Sequence, residues 1–141
     1  MTKTVAQKMG IKEGMRSILI NASESLVKAI ELPPIEIEAE LNGQFDYIHL
    51  FTITQKDMHK EFLKLKEHLK ETGTLWLSWP KSRKLNTDLN IKSVIKIGYD
   101  YGLVESKCLS IDHTWSALKF THPRKGKTYN NSYGKLKNED K

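Results

Sequence analysis

The chain has 141 residues and a mass of 16.3 kDa, the length of one ordinary domain. With 38% hydrophobic and 28% charged residues it is too apolar for a disordered chain, and no run nears the ~20 apolar residues of a membrane helix. Cys108 is the one cysteine, which excludes a disulfide framework and any multi-thiolate zinc or iron–sulfur site within the chain. Met1 to Gly14 is polar and holds no apolar stretch of signal-peptide type, so a reducing, cytoplasmic location is expected. The formal charge is +6, from 23 basic and 17 acidic side chains. From His122 onward, six cations (Arg124, Lys125, Lys127, Lys135, Lys137, Lys141) face Glu139 and Asp140, a net of +4 that leaves +2 for all the rest. This stretch has no apolar period, so the sequence predicts a single domain over 1–121 and a flexible basic tail over 122–141.

Within the body, strand-like and helix-like patterns alternate. Ser17–Asn21 is short and β-prone, and Ser23 then opens a helix with Leu26, Val27 and Ile30 on one face. Pro33-Pro34 stops that helix. Ile35–Leu41 alternates apolar with acidic residues, which predicts a strand with one face in water, its glutamates Glu36, Glu38 and Glu40 guarding an edge. Asp46–Ile53 is nearly all apolar, as a strand covered on both faces should be. Met58, Phe62, Leu65 and Leu69 form the stripe of a helix over Gln55–Thr72, with Gly73 as its left-handed cap. Thr74–Trp79 reads as a second buried strand, closing a βαβ unit. After Pro80 and a polar loop, Thr87 or Asp88 caps a helix with Ile91, Val94, Ile95 and Gly98 inside, ended by Gly102. Leu103–Ile111 and Trp115–Thr121 make an antiparallel hairpin around Asp112-His113-Thr114. The order predicts an α/β fold: three layers, Rossmann-like, with a mostly parallel sheet and a C-terminal antiparallel hairpin.

Two resemblances follow from these residues. Phe45–Pro80, with its Asp at the strand start and Gly after the helix, followed by another helix and a final hairpin, resembles the second half of class I methyltransferases. That resemblance implies an antiparallel last strand and an adenosyl cofactor. In that family a glycine-rich turn follows strand one and an acid ending strand two holds a ribose; here the turn reads Asn21-Ala22-Ser23-Glu24-Ser25, and Glu40 is the candidate acid. Val5–Lys12, Trp79-Pro-Lys81, Thr87-Asp-Leu89 and Asp112-His-Thr-Trp-Ser-Ala-Leu-Lys-Phe120 together resemble a family of small bacterial proteins known only as a domain of unknown function. That second resemblance implies a fold and no activity.

Ligands of open α/β sheets bind beyond the carboxyl ends of the strands. Lys81, Ser82, Arg83 and Thr87 should lie at that edge, with Asn21 and Ser23 reaching it from strand one, as an anion site for a phosphate or carboxylate. Asp112 is a turn cap or, alternatively, the partner of the Lys81 ammonium. His49 reads as a satisfied core residue, His59 and His68 as residues of the outer side of their helix, and Cys108 as a small packed group. No catalytic motif, metal spacing, Walker loop or dinucleotide fingerprint is present, and no cofactor is assigned. The leading expectation is therefore a non-catalytic Rossmann-like module that binds a small anionic ligand or a partner through Lys81–Asp88. A degenerate S-adenosylmethionine-dependent methyltransferase is one alternative. The other is a nucleic-acid accessory protein whose tail, with Tyr129 and Tyr133 for stacking, binds in a salt-dependent way.

Overall fold

The computed structural model describes residues 2–129, 133, 134 and 136. Its elements are α1 (Val5–Met9), β1 (Arg16–Ile20), α2 (Glu24–Ile30), β2 (Glu36–Ile37), β3 (Phe45–Phe51), α3 (Gln55–Glu67), β4 (Leu69–Pro80), α4 (Ile91–Asp100), β5 (Val104–Ser110) and β6 (Trp115–Thr121). The six strands form one sheet in the order β2-β1-β3-β4-β6-β5. β2, β1, β3 and β4 are parallel, and β6 inserts antiparallel between β4 and β5. The fold is three-layer, α/β and Rossmann-like, with a mostly parallel sheet and the expected antiparallel hairpin at its end.

Side-chain alternation along the strands divides the core in two. Ile48, Leu50, Leu75, Leu77, Leu118 and Phe120 face α3 and α4, where Met58, Phe62, Leu65, Val94 and Ile97 meet them. Tyr47, Phe51, Trp76 and Ala117 face the opposite layer, made by Ala6 and Met9 of α1 with Leu26 and Ile30 of α2. Burying each of the larger aliphatic and aromatic side chains is worth roughly 1.5–3 kcal/mol. Tyr129 and Leu136 also pack against the α3–α4 layer, and the Lys127 ammonium stands 5.1 Å from the Tyr129 ring centroid. The tail charges Lys135, Lys137, Glu139, Asp140 and Lys141 lie outside the described residues.

Several boundaries differ from the sequence expectations, each for a tertiary reason. α1 was not anticipated; Thr4 and Gln7 close a capping box around its first turn, and Gly10 ends it in the left-handed region. β2 has two residues rather than seven, because it pairs only with Arg16 and Ser17 before Glu38 turns to the Arg16 guanidinium at 3.3 Å. α3 stops at Glu67, and Leu69 and Gly73 belong to β4. Gly73 is not a helix cap: a Cβ there would lie 2.8 Å from the Phe45 carbonyl oxygen, so the residue is small because β3 runs against it. The cap of α4 is Asn90, paired with Ser93, and not Thr87 or Asp88. Ile91 is 41% exposed instead of facing inward.

Candidate functional site

Two clefts open at the carboxyl edge of the sheet. The first lies where β1 and β3 end. Beyond Ile20 the backbone turns at Asn21, which takes φ 64°, the left-handed conformation that glycine adopts freely and asparagine tolerates best among other residues. The Asn21 amide donates to the Phe51 carbonyl at 3.3 Å, tying the two strand ends together. Ser23 caps α2, its hydroxyl accepting from the Leu26 amide at 3.2 Å. The cleft above this turn measures about 290 Å³ and is lined by Asn21, Ser23, Phe51, Thr52, Asp57 and Trp115, among others. The cleft is thus open above a turn that takes the left-handed conformation without a glycine.

The second cleft is larger, about 770 Å³, and lies beyond β4 on the α4 side. Trp79, Ser116 and Cys108 come from β4, β6 and β5, while Lys81, Ser82, Arg83 and Thr87 come from the loop. That loop is strained: Ser82, Arg83, Leu85 and Asn86 all have positive φ, between 55° and 60°. It is also pinned. The Lys81 amide donates to the Thr114 carbonyl at 2.8 Å, and the Lys84 ammonium to the His113 carbonyl at 2.6 Å. The Thr87 hydroxyl donates to the Ile53 carbonyl and accepts from the Leu89 amide. Asp88 reaches across to α3, its carboxylate accepting from the Gln55 amide at 2.8 Å. It thus serves the start of α3 and leaves α4 to the neutral Asn90.

The expected seven-residue anion site is thereby divided. Asn21 and Ser23 line the smaller cleft, while Lys81, Ser82, Arg83 and Thr87 line the larger one. Asp112 lines neither cleft among those described. Its carboxylate accepts from the Thr114 and Trp115 amides at 2.8 and 2.7 Å, which is the turn-capping role, and Lys81 instead donates its ammonium to the Ser110 hydroxyl. The clefts adjoin, since Ile53 of the first bonds Thr87 of the second and Trp115 precedes Ser116. Asp57, Trp79, Cys108 and Ser116 were not among the site residues read from sequence. Cys108 is exposed in the larger cleft rather than packed inside, although partial burial still holds its thiol above the ordinary range. It pairs with Leu118 beyond a register shift between Glu105 and Lys107, which simple strand alternation does not reveal.

His49 sits fully buried in the core, stacked on Phe51 at 4.0 Å between centroids. Its Nδ1 lies 2.6 Å from the Tyr47 hydroxyl and its Nε2 2.6 Å from the Ser78 hydroxyl. A neutral ring donates at one nitrogen and accepts at the other, so both are satisfied. Burial pushes the ring's pKa down to about 3. Ser78 and Tyr47 are as buried as His49, so this hydroxyl–imidazole chain meets no substrate. His59 bonds the Tyr101 hydroxyl at 3.0 Å and His68 the Gly43 carbonyl at 2.7 Å. Among the described residues no group of three His, Cys, Asp or Glu side chains is placed to hold a metal ion, and no helix is long and apolar enough to cross a membrane.

The solved structures similar to this chain are methyltransferases. The ribosomal protein L11 methylase of Lactobacillus delbrueckii subsp. bulgaricus matches with a TM-score of 0.59 and 9% identity, over 85% of this chain and 77% of that one. Precorrin-6y C5,15-methyltransferase of Geobacter metallireducens matches with 0.56 and 10% identity, over 84% and 86%. The magnesium protoporphyrin IX methyltransferase of Synechocystis PCC 6803, solved with bound SAM, matches with 0.55 and 11% identity, over 84% and 74%. No family model matches the chain, and no curated protein does. At these identities the likeness is one of fold.

Proposed function

We propose that this chain is a reduced methyltransferase-type protein that takes an adenosyl cofactor in the cleft over Asn21. The observation that carries the reading is the left-handed turn at Asn21 beneath an open cleft, in a fold shared with SAM-dependent enzymes. The donors present suit such a group: Trp115 offers an aromatic wall for a base, Ser23 a hydroxyl, and Asp57 a carboxylate for a cationic part. When bound, the cofactor supplies an electrophilic methyl group. The chain departs from its relatives at the ribose anchor. Glu38 pairs with Arg16 and the Gln44 carbonyl accepts from the same guanidinium, so the segment bearing Glu40 runs at the end of β1 opposite Asn21. Loss of one charged hydrogen bond costs about 1.5–3 kcal/mol. Calorimetric titration with S-adenosylmethionine and S-adenosylhomocysteine is therefore expected to show binding about 10- to 100-fold weaker than in an enzyme that keeps the acid. Absence of both heat and thermal shift at millimolar ligand overturns the reading.

The turn itself gives a sharper test. Asn21→Val puts a β-branched side chain at φ 64°, costing about 1–2 kcal/mol and abolishing binding as the turn moves. Asn21→Gly fits the same backbone and is expected to retain binding within a few-fold. Equal binding by the valine and glycine variants in the titration rejects the turn as the cofactor's seat.

A second reading is favoured by the larger cleft with its two cations: a non-catalytic module that binds a small anion beside Lys81 and Arg83. It predicts no heat with adenosyl compounds.

A further inference from the structure

The larger cleft is built from unlike parts. Its floor is apolar, with Trp79 and Leu89 at its base and Ile91 left 41% exposed at the start of α4. Its rim is cationic. Lys81 is held in place by the Ser110 hydroxyl, and Arg83 makes no side-chain hydrogen bond or ion pair among the described residues. Asp88 also lines the cleft, one of its carboxylate oxygens accepting from the Gln55 amide at 2.8 Å, and it pairs with neither cation among the described residues. A guanidinium without a protein partner beside an apolar floor suits a ligand with a flat apolar body and an anionic end. A bare inorganic anion would leave the floor wet, and a neutral aromatic would leave the cations unanswered.

We infer that this cleft binds a small aromatic carboxylate, its ring against Trp79 and its carboxylate between Lys81 and Arg83. The inference rests on the cleft alone and not on the adenosyl reading, since Asn21 and Ser23 take no part in it. In the adenosyl reading this ligand is the neighbouring acceptor; in the second reading it is the ligand itself.

Cys108, the single thiol of the chain, lines this cleft and reports its occupancy. The test follows the rate of Cys108 alkylation by neutral iodoacetamide at mildly alkaline pH, with no adenosyl compound present. Indole-3-carboxylate at millimolar concentration is expected to slow alkylation at least about threefold, and about tenfold more of the neutral indole-3-carboxamide is expected to be needed for the same protection, as loss of one charge-assisted pair implies. The double variant Lys81→Ala/Arg83→Ala, whose ligand-free alkylation is slower because two cations that favour the thiolate are gone, is expected to keep its circular dichroism spectrum and to show no protection when each rate is divided by the same protein's ligand-free rate. A charge-preserving Lys81→Arg variant retains it. Equal protection by carboxylate and carboxamide, protection by inorganic phosphate at the same concentration, or protection that survives the double variant each overturns the inference. So does no protection at all. A null titration with S-adenosylmethionine, by contrast, leaves it standing and sinks only the cofactor proposal.

Discussion

Gly98→Ala is expected to lower stability by about 2–3 kcal/mol, opposite in sign to what helix propensity alone dictates. Within a helix an alanine normally gains up to about 1 kcal/mol over glycine, and Gly98 lies in the last turn of α4. Here a Cβ would lie 2.0 Å from Cε1 and 2.5 Å from Cζ of Phe120. The ring has no room to withdraw, because Phe120 is fully buried, meets Phe62 edge-on at 5.4 Å, and its strand is bonded to β4 at Leu75. The glycine lets α4 lie directly on β6, and overpacking outweighs propensity. Urea unfolding should show a lower midpoint with an unchanged slope. Phe120→Leu in the alanine background should recover part of the loss, giving a favourable coupling in the double-mutant cycle. An alanine variant as stable as the parent rules out the close approach of α4 to β6.

The second large effect is on pH dependence. Burial holds His49 at about 3 in the folded chain, well below the ordinary histidine value of 6.5. The unfolded chain therefore takes up the proton first as pH falls. The stability that comes from keeping the ring neutral is whole above pH 6.5 and is withdrawn as pH drops toward about 3. Between pH 6.5 and 5 this single residue accounts for a loss of about 1.6 kcal/mol. His49→Gln keeps a donor and an acceptor for Tyr47 and Ser78 without titrating, so it should be less stable at pH 8 yet nearly flat over that interval. Urea melts of both proteins at pH 8, 6.5 and 5 make the comparison. If the parent loses no more than the glutamine variant between pH 6.5 and 5, His49 is not held neutral by burial.

What could be read from the chain was whatever repeats locally. The unbroken apolar runs of β3 and β4, the α3 stripe through Met58, Phe62 and Leu65, and the β5–β6 hairpin around Asp112 were visible because burial on one face or two writes itself into a period. Thr4-x-x-Gln7 was an equally local signal for α1 that composition concealed, its residues being polar and the helix only five residues long. The misreadings had non-local causes. Leu69 continues the helical spacing of α3, yet Gly73 must lie against the Phe45 carbonyl, which draws the segment into the sheet. Ile35–Leu41 alternates like a strand, but only Arg16 and Ser17 are there to pair with it. For the site, the rule that ligands lie at the carboxyl edge singled out Lys81, Arg83 and Thr87, which line one cleft. It had no means of foreseeing the bond from Thr87 to Ile53, a contact across 34 positions that joins the lining of this cleft to that of the one holding Asn21 and Ser23.

The place of β6 in the sheet has a consequence for how the protein is made. Among the described residues β5 pairs with no strand except β6, and β4 has β6 as its neighbour on that side. As the chain leaves the ribosome, everything up to Ser110 emerges with one margin of the sheet bare and β5 unattached. The architecture locks only when Trp115–Thr121 slides between them as the last piece. A chain halted before Trp115 is left with the Leu75–Pro80 flank of β4 uncovered, an adhesive margin that invites nascent chains to clump and chaperones to engage it.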